Sequence, residues 1–450
     1  MFDVLVAGAG AAGLAAALSA ADRELEVAVV EASGNYRIDS NTAMSTSMVP
    51  AGGSRWQAEA GIDDSPERFY SDVMGKTNGL ADPVVSRALT DVAPELVAWM
   101  ADTVGVPLEL VTDFRYPGHS ADRCHAVPDR SGRALHSQLL ADLGRRGNVT
   151  MITPMRLTGV LHGNAGQITV QAERPGGSSE ESTARSVVLA TNGYGARRDF
   201  VEKFMPEIEN ALYHGGSGST GDALVIGETM DADLGYLDAY QGHGSVATPH
   251  GIIVTWAIVM HGGVLINSDG QRFGDETQGY SEYAVPVLSQ VDGIAWVLLD
   301  ERIADACHVF KDYQDLVDAG AVRWSDDVGE LANLVGAPVE AIENTLSAAA
   351  AAATGASSDP FGRTDWEQQL SPPFGAVKVT GALFHTQGGL RVDGDARILS
   401  GGEPIPGMYA AGGAAIGMSG HGASGYLAGN GLLAALGLGY IAGRHAAASQ

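Results

Sequence analysis

The first 31 residues carry the pattern that most restricts how this chain can fold. Residues 3–7 form an apolar run typical of a buried parallel strand, and Gly8, Gly10 and Gly13 follow it with the spacing G-x-G-x-x-G. An alanine-rich helical segment comes next, and the second apolar run "EVAVV" ends at Glu31. Together these features predict a Rossmann-type dinucleotide site, in which the glycines let the backbone approach a pyrophosphate and Glu31 accepts a ribose hydroxyl. A glycine-rich turn without a ligand is the alternative.

Further segments indicate the length of the ligand. The stretch "SNTAMSTS" (40–47) is dense in small hydroxyl and amide side chains, which could hydrogen-bond phosphate and ribityl groups along an extended cofactor. A polar surface loop is the alternative. The stretch "RSVVLATNGYG" (185–195) predicts a strand that ends in a glycine turn, and "GSTGDAL" (218–224) predicts the start of a helix.

The order of these motifs resembles one known group. "GAGAAG", "ATNGYG", "STGDA", "NSDGQRFGDE", "HTQGGL" and "GMYAAGGA" occur in the order of the fumarate reductase/succinate dehydrogenase flavoprotein superfamily, which also contains 3-ketosteroid and small-acid dehydrogenases. The resemblance implies an α/β fold: a Rossmann-type FAD-binding domain with an inserted α+β capping domain. We expect the FAD-binding domain at 1–239 and 385–450, and the capping, substrate-binding domain at 240–384.

The resemblance also implies the cofactor contacts. The helix N-terminus near Asn430 would face the flavin edge, where reduction builds negative charge. No histidine lies in 40–46, where membrane-complex relatives attach FAD covalently, so we expect non-covalent FAD. Gly413 stands where many relatives have a glutamate on the ribityl chain. The expected FAD contacts are Gly8, Gly10, Gly13, Glu31, Ala32, Ser40, Asn41, Thr42, Ser45, Ala190, Thr191, Asn192, Gly193, Asp222, Gly412, Gly413, Asn430, Gly431, Leu432 and Leu433.

Tyr280 is the expected catalytic base. In fumarate reductases the matching segment carries a proton-donor arginine four residues after its glutamate, and counting from Glu276 that position here is Tyr280. A tyrosine takes the α proton in the ketosteroid dehydrogenase branch, so the exchange favours ketone dehydrogenation over fumarate reduction. A core tyrosine is the alternative for Tyr280. Arg272 and Glu276 are interpreted as a structural ion pair.

Tyr426 is the expected carbonyl ligand. In "GYLAGNGLL" (425–433) a tyrosine precedes glycines and an apolar helical run. A phenol and helix N-terminal amides together make an oxyanion hole, and ketosteroid dehydrogenases have a similar segment. A tyrosine that caps a turn is the alternative. Gly429 and Asn430 are expected to line the same site.

Three histidines and a second tyrosine complete the expected site. His385, in "FHTQGGL", resembles the histidine that grips a substrate carboxylate in fumarate reductases, and so suggests an acid substrate. His243 and His421 are further candidates for substrate binding, and Tyr116 is a candidate partner for Tyr280. A structural histidine is the alternative for His385.

Composition limits the partners. Lys and Arg number 27 against 54 Asp and Glu, a net charge of -27, which disfavours nucleic acid and anionic membranes as partners. Cys124 and Cys307 are the only cysteines, so the sequence has no iron–sulfur or haem motif and no metal site is expected. We therefore expect an external electron acceptor. No signal peptide or membrane span is recognised, and we expect a cytoplasmic enzyme.

The favoured function is FAD-dependent α,β-desaturation of a ketone, either a small cyclic oxo acid or a 3-ketosteroid-like substrate. The alternative is a fumarate-reductase-like enzyme of dicarboxylates.

Overall fold

The computed structural model describes residues 1–113, 115–162 and 167–448 and divides into two compact units. The first unit comprises Met1–Pro206, Gly215–Gln241 and His385–Gln450, and the second comprises Glu207–His214 and Gly242–Phe384. The second unit is thus inserted into the first in two pieces. The short piece Glu207–His214 lies in the range that the sequence assigned to the first domain.

Strands and helices occur along the whole described chain, often in runs of one kind. In chain order the strands are β1 (Phe2–Ala7), β2 (Val27–Val30), β3 (Val49–Pro50), β4 (Glu109–Leu110), β5 (Cys124–Ala126), β6 (Val149–Ile152), β7 (Arg156–His162), β8 (Ile168–Glu173), β9 (Ser179–Leu189), β10 (Leu212–Tyr213), β11 (Leu234–Gly235), β12 (Tyr240–Ala247), β13 (Ile252–Ile253), β14 (Val264–Ile266), β15 (Ile294–Asp300), β16 (Arg323–Ser325), β17 (Phe374–Thr386), β18 (Gly389–Leu390), β19 (Arg397–Ser400) and β20 (Glu403–Ala410). The α-helices are α1 (Ala11–Ala21), α2 (Arg55–Glu59), α3 (Pro66–Lys76), α4 (Pro83–Trp99), α5 (Gly132–Leu143), α6 (Arg198–Phe204), α7 (Asp222–Glu228), α8 (Ala257–Met260), α9 (Ala284–Leu288), α10 (Glu301–Cys307), α11 (Lys311–Asp318), α12 (Val328–Val335), α13 (Val339–Ala353) and α14 (Asn430–Ala448). Within the described residues, no helix has both the length and the apolar character needed to cross a bilayer.

A largely parallel sheet forms the centre of the first unit. Its strands follow the order β19-β20-β9-β1-β2-β6. Strand β1 pairs in parallel with β2 and with β9, and β9 pairs in parallel with β20. Val4, Leu5 and Val6 of β1 are buried, as the continuous apolar run predicts for a strand covered on both faces.

Two helices with small side chains pack closely over this sheet. Every residue of α1 is buried, which explains why its sequence is alanine-rich rather than amphipathic. Helix α14 meets α1 through glycines: a Cβ at Gly439 would lie 2.2 Å from the Ala12 carbonyl oxygen, and one at Gly443 would lie 2.1 Å from Ser19 Oγ. The close approach fixes the position of α14, whose first residues belong to the candidate site.

The second unit is built on a mainly antiparallel sheet in the order β13-β12-β17-β15-β14. Strand β15 pairs antiparallel with β17 over seven residues, from Ile294 opposite Thr380 to Asp300 opposite Phe374. Trp296 and Leu298 of β15 pack in an apolar cluster with Leu331 of α12. Helix α13 contributes Ile342 to this cluster, and its Thr345 hydroxyl donates to the Gly270 carbonyl oxygen at 2.7 Å, in the loop 267–283 that carries Tyr280.

Candidate active site

Four backbone turns of the first unit follow parallel strands. Strands β1, β2, β9 and β20 end at Ala7, Val30, Leu189 and Ala410. Because these strands run in parallel, their carboxyl ends share one edge of the sheet. Ligands of α/β sheets bind at such an edge.

The turn after β1 has no space for side chains. Gly8 has φ +111°, and a Cβ there would lie 2.2 Å from the Ala190 carbonyl oxygen. A Cβ at Gly13 would lie 1.8 Å from the Gly8 oxygen. Gly10 precedes α1 in an extended conformation. The first amides of a helix have no partners within it, so this bare turn can receive an anion such as a pyrophosphate.

Two of the predicted cofactor residues also support this turn. The Glu31 carboxylate accepts hydrogen bonds from the Ala9 amide at 2.8 Å and the Ser33 amide at 2.7 Å. The Thr42 hydroxyl accepts one from the Ala11 amide at 2.8 Å. Both side chains therefore hold the turn in place, and contacts with a ribose or a phosphate would use their remaining lone pairs.

The other predicted polar residues after β2 also bond to backbone. Asn41 Oδ1 accepts from the Gly216 amide at 2.6 Å, and Ser40 Oγ accepts from the Ala43 amide at 3.3 Å. Ser45 donates to the Thr42 carbonyl at 2.8 Å. Ala32 follows Glu31 and is exposed. Cofactor contacts of these residues stay predictions.

The turns after β9 and β20 pack against each other. A Cβ at Gly413 would lie 2.6 Å from both the Gly193 nitrogen and Asn192 Oδ1, and Gly412 has φ +64°. A larger side chain therefore does not fit at Gly413, which is the position where the resemblance expects a glutamate. Asp222, at the start of α7, is paired with Arg156.

One fully buried side chain beside these turns lacks partners. Asn430 is 0% exposed, and neither its Oδ1 nor its Nδ2 has a hydrogen-bond partner in the described part of the chain. Thr191 Oγ1 is also buried without one. Leaving such groups unpaired costs about 1–3 kcal/mol each, so a ligand with both donors and acceptors is expected here. A flavin presents carbonyl and N–H groups along one edge, so these residues fit FAD.

Tyr426, His385 and Gly431 converge at the start of α14, and we call these three residues the Gly431 cluster. The Gly431 amide donates to the Tyr426 hydroxyl oxygen at 3.5 Å, and the His385 and Tyr426 rings are 5.8 Å apart in an edge-on arrangement. A Cβ at Gly431 would lie 2.7 Å from His385 Nε2. The chain reaches this helix through Gly429, with φ +84°, where a Cβ would lie 2.6 Å from Pro50 Cδ. Phenol, imidazole and helix amide can together bind an oxygen on which negative charge develops.

The imidazole of His385 is neutral at physiological pH. Burial lowers the pKa of His385 to about 4. Gln387 Nε2 lies 3.0 Å from its Nδ1, and the Ser419 hydroxyl donates to Gln387 Oε1 at 3.2 Å. The cluster therefore offers hydrogen-bond donors without a formal positive charge on the histidine.

In the second unit, Tyr280 belongs to a series of four rings in contact, of which the first three are stacked. Its ring centroid lies 5.1 Å from that of His243, which lies 4.9 Å from Phe384, which lies 5.1 Å from His214. The Ser245 amide donates to His243 Nδ1 at 3.2 Å, so the neutral ring carries its proton on Nε2. Burial, with His214 nearby, lowers the pKa of His243 to about 3. The ring stacked on Tyr280 is therefore uncharged.

Arg272, in the same loop as Tyr280, is held in a buried network of ion pairs. Arg272 donates to both carboxylate oxygens of Glu276, at 2.8 and 2.7 Å, and also pairs with Asp359. Arg363 Nη1 lies 3.3 Å from Glu276, which is 0% exposed. These contacts agree with the interpretation of Arg272 and Glu276 as a structural pair.

Two predicted site residues have other contacts. His421 is not enclosed in a pocket: its side chain is 53% exposed, and Nδ1 lies 2.8 Å from the Asp238 carboxylate. Tyr116 packs against the apolar cluster that contains Met48 and Cys124. Its proposed pairing with Tyr280 stays a prediction.

Sequence reasoning missed three side chains that hold the ligand-facing loops. Gln387 contacts His385. His119 Nε2 lies 3.1 Å from the Ala428 carbonyl oxygen, within the loop that carries Tyr426. His136 contacts the turn after β1. His119 and His136 carry no local pattern, because the backbone atom that each one contacts lies far away in the chain. Gln387 lies two residues after His385 in "HTQGGL", and this closeness is its only signal in the sequence.

The first unit is that of a flavin-dependent oxidoreductase. It has an extended turn for phosphates, a buried amide without partners among the residues that the structure describes, and an adjacent set of hydrogen-bond donors. The chain matches the FAD binding domain family over residues 3–432 and belongs to that family. It is an FAD-dependent enzyme of the group that acts on carbon–carbon bonds.

Its relatives include reductases and dehydrogenases. The chain is 28% identical to the NADH:fumarate oxidoreductase of Klebsiella pneumoniae (strain 342) over 416 residues, 91% of this chain but 44% of that protein, so it spans less than half of its length. It is 26% identical to the fumarate reductase (cytochrome) of Shewanella frigidimarina, covering 99% of this chain and 77% of that protein. The structure of 3-ketosteroid-delta4-(5alpha)-dehydrogenase from Rhodococcus jostii RHA1 in complex with 4-androstene-3,17-dione superposes with a TM-score of 0.76 and 25% identity, over 99% of this chain and 96% of that one.

Proposed function

We propose that this protein is an FAD-dependent dehydrogenase that desaturates the α,β carbon–carbon bond of a ketone. The favoured substrate is a small cyclic oxo acid of the 4-oxocyclohexanecarboxylate type, and a 3-ketosteroid-like substrate is the larger variant. The observation that carries the proposal is the Gly431 cluster, in which a phenol, a helix amide and a neutral imidazole converge. The phenol and the helix amide suit one carbonyl oxygen, and the neutral imidazole beside them can bind a second polar group of the substrate.

Each residue has a definite part in the proposed reaction. Tyr426 and the Gly431 amide hold the carbonyl oxygen and stabilise the enolate-like charge that forms on it. Tyr280 removes the proton from the α carbon, and His385 binds a second polar group of the substrate, a carboxylate in the favoured case. FAD, when bound, supplies the acceptor for the hydride from the β carbon. An external acceptor then removes the electrons.

The second candidate is reduction or dehydrogenation of a dicarboxylate, favoured by the names of the Klebsiella and Shewanella relatives. Against it, the position of the proton-donor arginine holds Tyr280, and Arg272 is committed to Glu276 and Asp359.

An anaerobic assay separates the two. FAD-loaded enzyme is mixed with 4-oxocyclohexanecarboxylate, cyclohexanone or succinate, and the flavin absorbance is followed; reduced enzyme is mixed with fumarate in parallel. Bleaching by the oxo acid, lost in Tyr426→Phe but kept in Tyr440→Phe, supports the proposal. Tyr440 is a matched control because it lies on α14 and its phenol donates to Glu95 at 3.0 Å. Reoxidation by fumarate without bleaching by any ketone favours the second candidate, and a flavin unchanged by all of these compounds excludes both.

A further inference from the structure

His136 makes a buried hydrogen bond to the glycine-rich turn. It lies on α5, is 1% exposed, and its Nε2 is 2.7 Å from the carbonyl oxygen of Ala9. A carbonyl oxygen can only accept, so Nε2 carries the proton. Nδ1 has no hydrogen-bond partner among the described residues. Burial, and secondarily Arg37, lowers the pKa of His136, so the ring is a neutral donor.

This bond sets the direction of the next amide. The Ala9–Gly10 peptide is trans, and in a trans peptide the carbonyl and the N–H point in opposite directions. Holding the Ala9 oxygen on the His136 side therefore aims the Gly10 N–H to the other side. A rotated peptide would present a carbonyl oxygen there instead, which would repel an anion.

The amides on either side of this peptide are already occupied. Ala9 N–H donates to Glu31 and Ala11 N–H donates to Thr42, each at 2.8 Å. Three side chains from three separate segments thus hold three consecutive peptide groups. The Gly10 amide, followed by the first free amides of α1, is left for a ligand.

We propose that His136 is a positioning residue for the diphosphate of FAD: by holding the Ala9 carbonyl, it directs the Gly10 amide toward the phosphates. The proposal rests on the FAD assignment alone and is independent of ketone desaturation. A histidine that only fills space is the competing explanation. Its ring does contact Tyr36, edge-on at 6.0 Å, but packing would not require a donor at Nε2.

The test compares variants that keep or remove this donor. His136→Leu removes it, and His136→Gln retains an N–H of similar reach. His125→Leu is the matched control, since His125 is also buried, at 0% exposure, and bonds to Ser54 at 2.8 Å rather than to the turn. Apoproteins are titrated with FAD by flavin fluorescence, and the ³¹P resonances of bound FAD are recorded.

We expect His136→Leu to weaken FAD binding at least about tenfold, the equivalent of one lost hydrogen bond, and to shift the diphosphate resonances. His136→Gln should recover both values, and His125→Leu should bind FAD within about twofold of the parent. Parent-like binding by His136→Leu, no recovery in His136→Gln, or an equal loss in His125→Leu would overturn the proposal.

If His136→Leu does not fold, as judged by circular dichroism of the apoprotein, His136→Asn replaces it. Asparagine is polar but too short to reach the Ala9 oxygen. Weaker FAD binding by His136→Asn than by His136→Gln supports the proposal, and equal binding overturns it. An enzyme that binds FAD normally but oxidises no ketone would count against the proposed function and leave this inference intact.

Discussion

The side-chain amide nitrogen of Gln387 lies 3.0 Å from Nδ1 of His385. The Ser419 hydroxyl donates to Gln387 Oε1, which orients the amide so that its N–H points at the imidazole. The Thr386 carbonyl lies farther from the same Nδ1, at 3.3 Å. Nδ1 therefore acts as the acceptor, and Nε2, beside Gly431, carries the proton. His385 is in this way prepared to donate to an oxygen of the substrate.

Replacing the amide with a carboxylate should reverse this arrangement. In Gln387→Glu the carboxylate accepts a hydrogen bond from Nδ1 and stabilises the imidazolium, so the pKa of His385 should rise from its value of about 4. The enzyme then carries a protonated histidine at higher pH than the parent. We expect the ionisation in the pH profile of kcat/KM that belongs to His385 to move upward, and KM for an oxo acid to fall relative to KM for the uncharged ketone. Gln387→Met, which has no charge, is the control and should keep the pKa of His385 low. Coincident pH profiles for all three proteins would contradict the conclusion that Gln387 controls the protonation of His385.

The absence of a side chain at Gly431 is required by the neighbouring imidazole. A Cβ there would lie 2.7 Å from His385 Nε2 and 3.4 Å from the Tyr426 hydroxyl. Gly431→Ala should therefore displace His385 and lower kcat/KM about 100-fold or more, while the helix itself gains about 1 kcal/mol of intrinsic propensity. The matched control is Gly75→Ala in α3, where a Cβ meets no atom within 4 Å. Thermal unfolding and steady-state kinetics of both variants check this, and an active Gly431→Ala enzyme would show that the imidazole can move without loss.

The parts of the fold that could be predicted are those encoded by short-range pattern. The apolar run at 3–7 forms β1, Phe2–Ala7, and Glu31, the acid after the next strand, accepts a hydrogen bond from the Ala9 amide of the turn. Both could be predicted because strand, glycines and helix follow one another in the chain. His136 could not be found this way. Its partner Ala9 lies 127 positions away, and only the packing of α5 brings the two together.

The sequence also could not predict the direction of a side chain in an irregular loop. His421 was predicted to line a pocket because it lies five positions before Tyr426. In the structure it points to Asp238, and its side chain is 53% exposed. In an irregular glycine-rich loop, proximity in sequence carries no information about orientation, since no helical or strand period relates the two side chains.

Tyr280 and Tyr283 are three residues apart but differ in environment. Tyr283 is 3% exposed, its hydroxyl has no partner in the described part of the chain, and burial raises its pKa well above the ordinary value. Tyr280 is only partly buried and stacks on His243. We expect Tyr280→Phe to lower the rate of anaerobic flavin reduction by about 100-fold or more, because the proton acceptor is lost while the stacked ring remains. Tyr283→Phe should reduce flavin at nearly the parent rate, and equal rates for the two variants would exclude Tyr280 as the base.

Two buried histidines predict that the protein loses stability in mild acid. His119 is 6% exposed and His125 is 0% exposed, and desolvation lowers the pKa of each to about 4. In the unfolded chain both would titrate near their ordinary value of about 6.5. Between these values the unfolded state binds more protons than the folded state, so the free energy of unfolding should decrease as the pH falls from about 6.5 toward 4 and then level off. Each histidine should account for about 2 kcal/mol between pH 7 and pH 5.

Urea unfolding at pH 7, 6 and 5 measures this loss directly. His125→Gln removes one of the buried histidines whose pKa is lowered, so the decrease in unfolding free energy between pH 7 and pH 5 should be smaller by about 2 kcal/mol, although the variant is less stable than the parent at pH 7 because its contact with Ser54 changes. Parallel pH dependences for the parent and His125→Gln would mean that His125 accepts a proton as readily in the folded protein as in the unfolded chain, which its complete burial should prevent.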